Sequence, residues 1–547
     1  MTKVALHRWN PALLTWLFLL LNAHSQTQIP ITLTATIPAA VDNGTGQYLR
    51  PYFEQDGESC GNANGIGFNF TYAMDWARNL PANAADNQYP YLYTYNFLND
   101  GDSFNGTSHM YVDALNIAKE NGIPNVTTWG GFDAGFDNYN WMTGYDKYYK
   151  AMQNRVDVID SFSIADSLGL RKLKQWIFDH GDGSKTGGIG NFAVSVWASF
   201  GVPGWQFGKI ASGPKSGEAI SMIYGSDPGG DHAQTVIGYN DSIHFDFNKD
   251  GKFTNNIDQN GDGKITIADW EIGALHAVNT WSTDASDAGT NYWCPYRLLA
   301  LAQDKGGLRN GNRATIATAK KQYTPKMALK ISLTHSHRKE IALSVGVAPS
   351  RDATEPTKIR SFQKQFTYAG GDLPMCGQNA SATIEIGLDV SDLIDSLAGA
   401  QEASFFLIVQ SKGGNSGTVN SLSLMDYSAG AANEIKSTQT GVKANGNAMT
   451  YVKVAATVTT AVRKGNGVPH ARRFESRRGG AGFQIRGHWT GTEKIGVLTL
   501  DGKLKASFVP APGDTWYSLP RQLNPGAYLI RITEKNGATE TNPVLLR

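Results

Sequence analysis

The sequence predicts an α+β chain of several parts. They are a mixed helix-and-strand domain over 27–320, an antiparallel β-sandwich over 323–460 and a small C-terminal Ig-like β domain over 482–547. Three observations predict it. The chain has 547 residues, more than a single hydrophobic core usually fills. Helical spacing of apolar residues is confined to the part before about Tyr323; short alternating apolar runs with polar turns replace it afterwards. A basic, glycine-rich stretch over 461–481 then interrupts the alternation before it resumes. Net charge +1 and 41% hydrophobic residues describe a soluble globular protein and argue against a nucleic-acid partner.

Taken in order, Lys3, His7 and Arg8 precede an apolar run from Ala12 to Leu21, and Ala23-His24-Ser25 offers a small-x-small cleavage site. This pattern predicts a signal peptide over 1–25, because the run is too short to span a bilayer. No other stretch is long and apolar enough to span, so the mature chain is expected to be exported. Ala63–Leu80, Val112–Glu120 and Ala165–His180 carry helical spacing, while 191–197 and 234–239 read as strands. The aromatic tract Tyr89–Tyr95 reads as a loop packed on the core rather than as a sugar site. Leu329–Leu333, Ile341–Val345, Thr383–Ile386 and Phe405–Val409 supply sandwich strands. Arg463, Lys464, Arg472, Arg473, Arg477 and Arg478 read as a solvated linker. Ile495–Leu504 reads as strand, Asp501-Gly502 turn, strand, and Leu519–Ile532 as a turn leading into a strand.

Only Cys60, Cys294 and Cys376 are present, too few and too scattered for a disulfide framework. At least one thiol therefore stays without a partner in its own chain.

The chemistry concentrates in three stretches: Gln55-Asp56-Gly57-Glu58-Ser59-Cys60-Gly61, Asp231-His232-Ala233 running into Gly238-Tyr239, and Asn279-Thr280-Trp281. Together with Ile37–Asp42 and Pro51–Gln55 they resemble the papain-like cysteine peptidases, over most of 37–300 and in the family's chain order of Gln, Cys, His, Asn. The resemblance implies a papain-like fold and hydrolysis of peptide bonds in protein or peptide substrates. Cys60 would be the nucleophile, activated at the start of a helix. His232 would act as base and then acid, Asn279 would orient the imidazole, and Gln55 would donate to the oxyanion. The other histidines, His244, His276, His335 and His337, lack such partners.

The match departs from the family at the thiol. There, two cysteines three residues apart are usual, the second catalytic and followed by Trp; here Cys60 stands alone, one residue closer to Gln55 than the catalytic position. Two alignments stay open. In one, Cys60 is the nucleophile. In the other, it matches the disulfide cysteine, Ala63 occupies the catalytic position, and the domain is an inactive binding or adhesion module.

The span between His232 and Asn279 is far longer than a tight strand–turn–strand requires. Its excess, over 243–272, contains Asp258-Gln259-Asn260-Gly261-Asp262-Gly263-Lys264-Ile265-Thr266-Ile267-Ala268-Asp269. Asp258, Asn260 and Asp262 stand at positions 1, 3 and 5, Gly263 at 6, the Lys264 carbonyl at 7 and Asp269 at 12. This is the ligand spacing of an EF-hand-type loop, and the terminal Asp resembles dockerin loops. A structural Ca2+ is expected there. A preceding stretch, Asp246-Phe247-Asn248-Lys249-Asp250-Gly251, has the opening half of such a loop but places Ile257 twelfth, so by sequence its site is incomplete.

The last segment, with Leu519–Ile532, resembles the C-terminal sorting domains of the type IX secretion pathway. That implies passage across the outer membrane of a Gram-negative bacterium of the Bacteroidetes or Fibrobacter kind, with that secretion machinery as a partner and the cell surface or medium as destination.

Overall fold

The computed structural model describes residues 28–458 apart from 108 and 398–401. Beyond them it describes 475–479, 482–486, 494–498, 504–509, 516–518, 526–533 and 539–546. The stretch read as a signal peptide, the basic residues Arg463, Lys464, Arg472 and Arg473, and the stretches read as turns at Asp501-Gly502 and over 519–525 lie outside the described residues. The chain divides into two compact units, 1–460 and 461–547.

The first unit is built on a nine-stranded sheet. Its strands are β1 (Ala40–Asp42), β2 (Val156–Ser163), β3 (Gly190–Ser195), β4 (Gln206–Lys209), β5 (Ala219–Ile223), β6 (Asp231–His244), β7 (Ile272–Val278), β8 (Asn291–Pro295) and β9 (Arg313–Ala319). They run in the order β2-β9-β3-β6-β7-β8-β5-β4, with β1 also on β6. β6 sits near the centre, buried continuously from His232 to Tyr239. That continuity reflects its composition, apolar or small at nearly every position, which suits a strand covered on both faces. Val236, Leu275 and Ala277 pack with Leu173 and Trp176 of the helix Ser167–Asp179. Ile237 and Val278 pack with Ala63 and Ile66 on the other face.

Ala63 and Ile66 belong to a continuous helical run: α-helical over Cys60–Asn62, widened to π turns over Ala63–Phe70, and α-helical again over Thr71–Arg78. It stops at Asn79, whose left-handed backbone breaks the repeat. The run begins at Cys60, a turn earlier than the apolar spacing alone indicated. Gly65 lets it cross the helix Met110–Asn121 closely, since a Cβ there would come within 2.8 Å of Tyr111 Cβ.

The tract Tyr89–Tyr95 is packed as anticipated, but as a helix, Tyr91–Leu98, rather than a loop. Pro90 precedes its first turn, where a missing N–H costs nothing. All its residues from Tyr91 to Phe97 are buried, so no amphipathic stripe was there to reveal the period.

The sandwich strands follow: β10 (Met327–Thr334), β11 (Ile341–Ala348), β12 (Lys358–Ser361), β13 (Thr383–Asp389), β14 (Glu402–Ser411), β15 (Gly417–Asp426), β16 (Asn433–Lys436), β17 (Val442–Ala444) and β18 (Met449–Thr457). One sheet has the order β13-β10-β15-β16 with β17 on β15, the other β12-β11-β14-β18. Alternation in β10 turns Leu329, Ile331 and Leu333 inward. The change of pattern near residue 323 is not a change of core. One apolar cluster runs from Phe68, Tyr93 and Met152 into Leu329, Ile386 and Phe405. Arg155 and Asp389 form a buried ion pair across the same junction at 2.6 Å.

The second unit holds a three-stranded sheet, Glu475–Gly479, Gly482–Arg486 and Trp516–Ser518. A four-stranded sheet orders Leu504–Phe508, Lys494–Leu498, Gly526–Thr533 and Thr539–Leu546. Glu475–Gly479 falls inside the stretch read as a linker; it is a strand, with Arg477 opposite Gln484 and Arg478 opposite Phe483. Its polar composition concealed pairing that a neighbouring strand provides. Among the described residues, no helix is long and apolar enough to cross a membrane.

Candidate active site

β6 carries His232 as its second residue, and antiparallel pairing of Thr235 with Val278 of β7 brings the next residue, Asn279, alongside it. His232 Nε2 lies 2.6 Å from Asn279 Oδ1. The Asn279 amide is fixed twice more: Oδ1 accepts from Thr280 N–H at 2.6 Å, and Nδ2 donates to Gly289 O at 2.7 Å. The Trp281 indole stacks on the imidazole with centroids 4.4 Å apart, covering the pair.

These contacts dictate a tautomer. Asn279 Oδ1 can only accept, and its orientation is set by Nδ2 donating to a carbonyl. His232 Nε2 therefore carries the proton, and Nδ1 keeps its lone pair. Burial lowers the His232 pKa to about 4, against the opposing pulls of Asn279 and Asp231, so the ring is neutral over the physiological range.

Gln55 is held at the same strand end. Its N–H donates to Thr280 O at 2.7 Å, and its Oε1 accepts from Thr280 Oγ1 at 2.5 Å. Its Nε2 donates one hydrogen to Gly57 O at 2.9 Å, which leaves the second of its two amide hydrogens for another acceptor.

Cys60 opens the helical run and packs against Tyr111, Ala193 and Ala233, the last being the residue that follows His232. The backbone N–H groups of Ala233 and Gly61 point to its sulfur. Burial nevertheless dominates, pushing the thiol up to about 12, with Asp231 and Glu58 adding to it. The thiol and the imidazole are thus both uncharged at rest. Cys60, Cys294 and Cys376 are all free and buried, so Cys60 has no disulfide partner. Ala63, the rival position, faces the separate cluster around Ile66 and Phe68.

Motif reading passed over Asn64. Its Nδ2 donates to Cys60 O and Ala233 O, both at 3.0 Å, and its Oδ1 accepts from Thr235 Oγ1 at 2.8 Å. It staples the start of the helical run to β6 beside His232. Because Asn62 and Asn69 stand in the same run and are buried as well, no sequence signal singled it out. Also passed over was His109, 3.5 Å from Asp231 at the N-terminal end of the helix Met110–Asn121, with its pKa raised mainly by that contact. His276, given no role, does have partners. Its Nε2 lies 2.5 Å from Asn291 Oδ1 and its ring stacks on Trp293, a second His–Asn–Trp arrangement.

The excess between β6 and β7 forms two loops of matching geometry. In the second, Asp258 accepts from Gly261 N–H and Gly263 N–H, each at 2.8 Å, and Asp262 accepts from Lys264 N–H at 2.9 Å. Asn260 accepts from Asp262 N–H at 2.9 Å. Asp269 is buried, and it accepts from the N–H groups of Gln259, Asn260 and Thr266. These turns gather side-chain oxygens around one loop, a donor set that suits a hard cation. Among the described residues no three His, Cys, Asp or Glu side chains converge as a ready-made metal cage, so the carboxylates of such a loop would draw together only around an ion, with Asn and main-chain carbonyls completing its ligands.

No family model and no curated protein sequence matches the chain. Solved structures similar to it include the cysteine protease and lectin-like domains of Cwp84, a surface layer associated protein of Clostridium difficile. The identity there is 11% and the TM-score 0.34, over 83% of this chain and 98% of that one. Another is digestive procathepsin L 3 of Tenebrio molitor larval midgut, at 10% identity and a TM-score of 0.30, over 54% of this chain and 74% of that one. Likeness this distant decides neither fold nor activity, which rest on the geometry above.

Proposed function

We propose that the first unit is a cysteine endopeptidase acting on extracellular proteins or peptides. The observation that carries this reading is the fixed His232 tautomer: Nε2–H on Asn279 and a basic Nδ1, with Cys60 packed against the adjacent Ala233. From two uncharged groups, His232 Nδ1 takes the thiol proton as the sulfur attacks the scissile carbonyl. The second Gln55 amide hydrogen and the main chain at the helix start face the developing oxyanion. His232 then returns the proton to the leaving amine, and water, activated by the same ring, hydrolyses the thioester.

In the loop Asp258–Asp269, the side chains of Asp258, Asn260, Asp262 and Asp269 and the Lys264 carbonyl would hold a structural Ca2+. That ion would supply charge neutralisation to a hairpin whose two legs lead to His232 and Asn279. Export through the signal peptide and sorting through the C-terminal unit complete the reading, placing the enzyme on a Gram-negative cell surface or outside the cell.

A second reading, an inactive binding module, is favoured by one observation: Cys60 is 2% exposed and its thiol is pushed up to about 12. Incubation of the reduced, calcium-replete protein with an irreversible epoxide thiol-protease inhibitor separates the two. A mass adduct that disappears in both Cys60→Ala and His232→Ala supports the peptidase. No adduct in the wild-type protein overturns it in favour of the binding module.

A further inference from the structure

The Asp246–Lys252 loop is incomplete in sequence, because Ile257 stands where an EF-hand-type loop needs a carboxylate. The fold supplies one from elsewhere. Glu271, just before β7, clasps both necks of this loop. Its carbonyl accepts from Phe245 N–H at 2.8 Å, and its own N–H donates to Thr254 O at 3.0 Å. Its side chain lies between those necks, where Oε2 accepts from Thr254 N–H at 3.1 Å and from Gln259 Nε2 at 3.3 Å.

The residue is 1% exposed, and its other oxygen, Oε1, is buried and makes no well-formed hydrogen bond, the Phe247 N–H being the one further main-chain donor that acts on the carboxylate. A buried carboxylate oxygen without a donor is costly unless a cation meets it. Asp246 and Asp250 of the loop both act on it and add to the deficit. Arg297 also acts on the carboxylate, but it stacks on Phe247 at 3.6 Å and makes no ion pair with Glu271 within 4.0 Å.

The loop itself is shaped as its neighbour is. Asp246 accepts from Asp250 N–H and Gly251 N–H at 3.2 and 2.9 Å, Asn248 from Asp250 N–H at 2.9 Å, and Asp250 from Lys252 N–H at 2.8 Å. Three side-chain oxygens at alternate positions, a carbonyl at the seventh, and a carboxylate that can bind through two oxygens make a calcium donor set, with water filling the remainder of its about six to eight ligands.

We infer that Glu271 completes a second calcium site with Asp246, Asn248, Asp250 and the Lys252 carbonyl, the twelfth-position ligand being delivered from the strand that carries Asn279 rather than from the loop's own chain. The two sites are then of different make: the second loop is self-contained through Asp269, while the first closes only when β7 has paired. Calcium at the first loop would therefore clamp the start of β7 directly to the end of β6.

The test is a count of Ca2+ ions by titration calorimetry on the full mature chain stripped with EGTA, with the same preparations melted with and without Ca2+. The wild-type chain is expected to bind two ions, Glu271→Gln one, Asp262→Ala one, and the double variant none. In EGTA, Glu271→Gln is expected to melt at or above the wild-type temperature, since it removes a buried unpaired charge. Asp250→Ala, at an exposed loop position, should lose the same ion without touching the strand. Two ions retained by Glu271→Gln would overturn the inference. So would one wild-type ion lost in Asp262→Ala alone, which leaves the second-loop reading standing, whereas no binding at all overturns both. A lower melting temperature for Glu271→Gln in EGTA would assign the carboxylate to Arg297 and likewise overturn it.

Discussion

Replacing Asn279 by alanine separates the orienting role of this amide from its structural one. The side chain is fully buried and makes three short bonds, to His232 Nε2, Thr280 N–H and Gly289 O. Truncation leaves these groups without a partner, at about 1–3 kcal/mol each when dry. Water entering the vacated space recovers part of that, so a loss of about 2–4 kcal/mol is expected. For a unit of this size that corresponds to a fall of only about 2–4 °C in Tm. The catalytic effect has a different origin. Without Oδ1, neither the Nε2–H tautomer nor the ring orientation is imposed, and a hydrogen bond to a ring that becomes charged is worth about 1.5–3 kcal/mol. That converts to a fall of about 10- to 150-fold in kcat/KM or in the rate of epoxide labelling at Cys60. The chain carries its own control. Asn291→Ala removes the same bond from the His276–Asn291–Trp293 arrangement; at this half-buried residue with a single side-chain bond it should lower Tm by less while leaving labelling of Cys60 unchanged. Equal losses of labelling in the two variants, or no loss in Asn279→Ala, would refute the reasoning.

Two further outcomes follow from the same geometry. Burial lowers the His232 and His180 pKa values to about 4 from 6.5. The unfolded chain binds these protons below about pH 6.5 and the folded chain does not. The stability is thus intact above that pH and lost as pH falls towards 4, by about 3 kcal/mol for each ring. Denaturant midpoints at pH 7 and pH 4.5 should therefore diverge less in His232→Gln than in the wild-type protein, and equal divergence would sink the assignment. Arg155→Ala strands Asp389 at the junction between helices and sandwich, where an uncompensated buried charge costs about 3–5 kcal/mol. Chemical denaturation should show that loss, and Arg155→Ala combined with Asp389→Asn should recover part of it.

How much was legible in the sequence differs from residue to residue. Residues set by short-range spacing were readable. His232 and Ala233 lie in one strand, Asn279, Thr280 and Trp281 are consecutive, and the oxygens of Asp258, Asn260 and Asp262 recur at alternate positions. Alternation in Leu329–Leu333 likewise announced a sandwich strand, because one buried face leaves a period of two, whereas Phe405–Val409 was readable as a short, continuous apolar run buried on both faces. The helix Tyr91–Leu98 was not readable as such, because burial all round erases the 3.6-residue stripe.

The sequence by itself determined which chemical groups are present and in what local register: one thiol before a helix, an imidazole on a buried strand, an amide at the end of the next, and two loops rich in oxygen donors. Only the tertiary structure decided the rest. It set the tautomer of His232 through the carbonyl of Gly289, buried the Cys60 sulfur against Ala233, and joined 27–320 and 323–460 through a common core. It also carried Glu271 into the mouth of a loop that lacks its own last ligand. The physical reason is the same in each case. Burial, desolvation and hydrogen-bond satisfaction depend on groups brought together from distant parts of the chain, and no local spacing encodes which of them will meet.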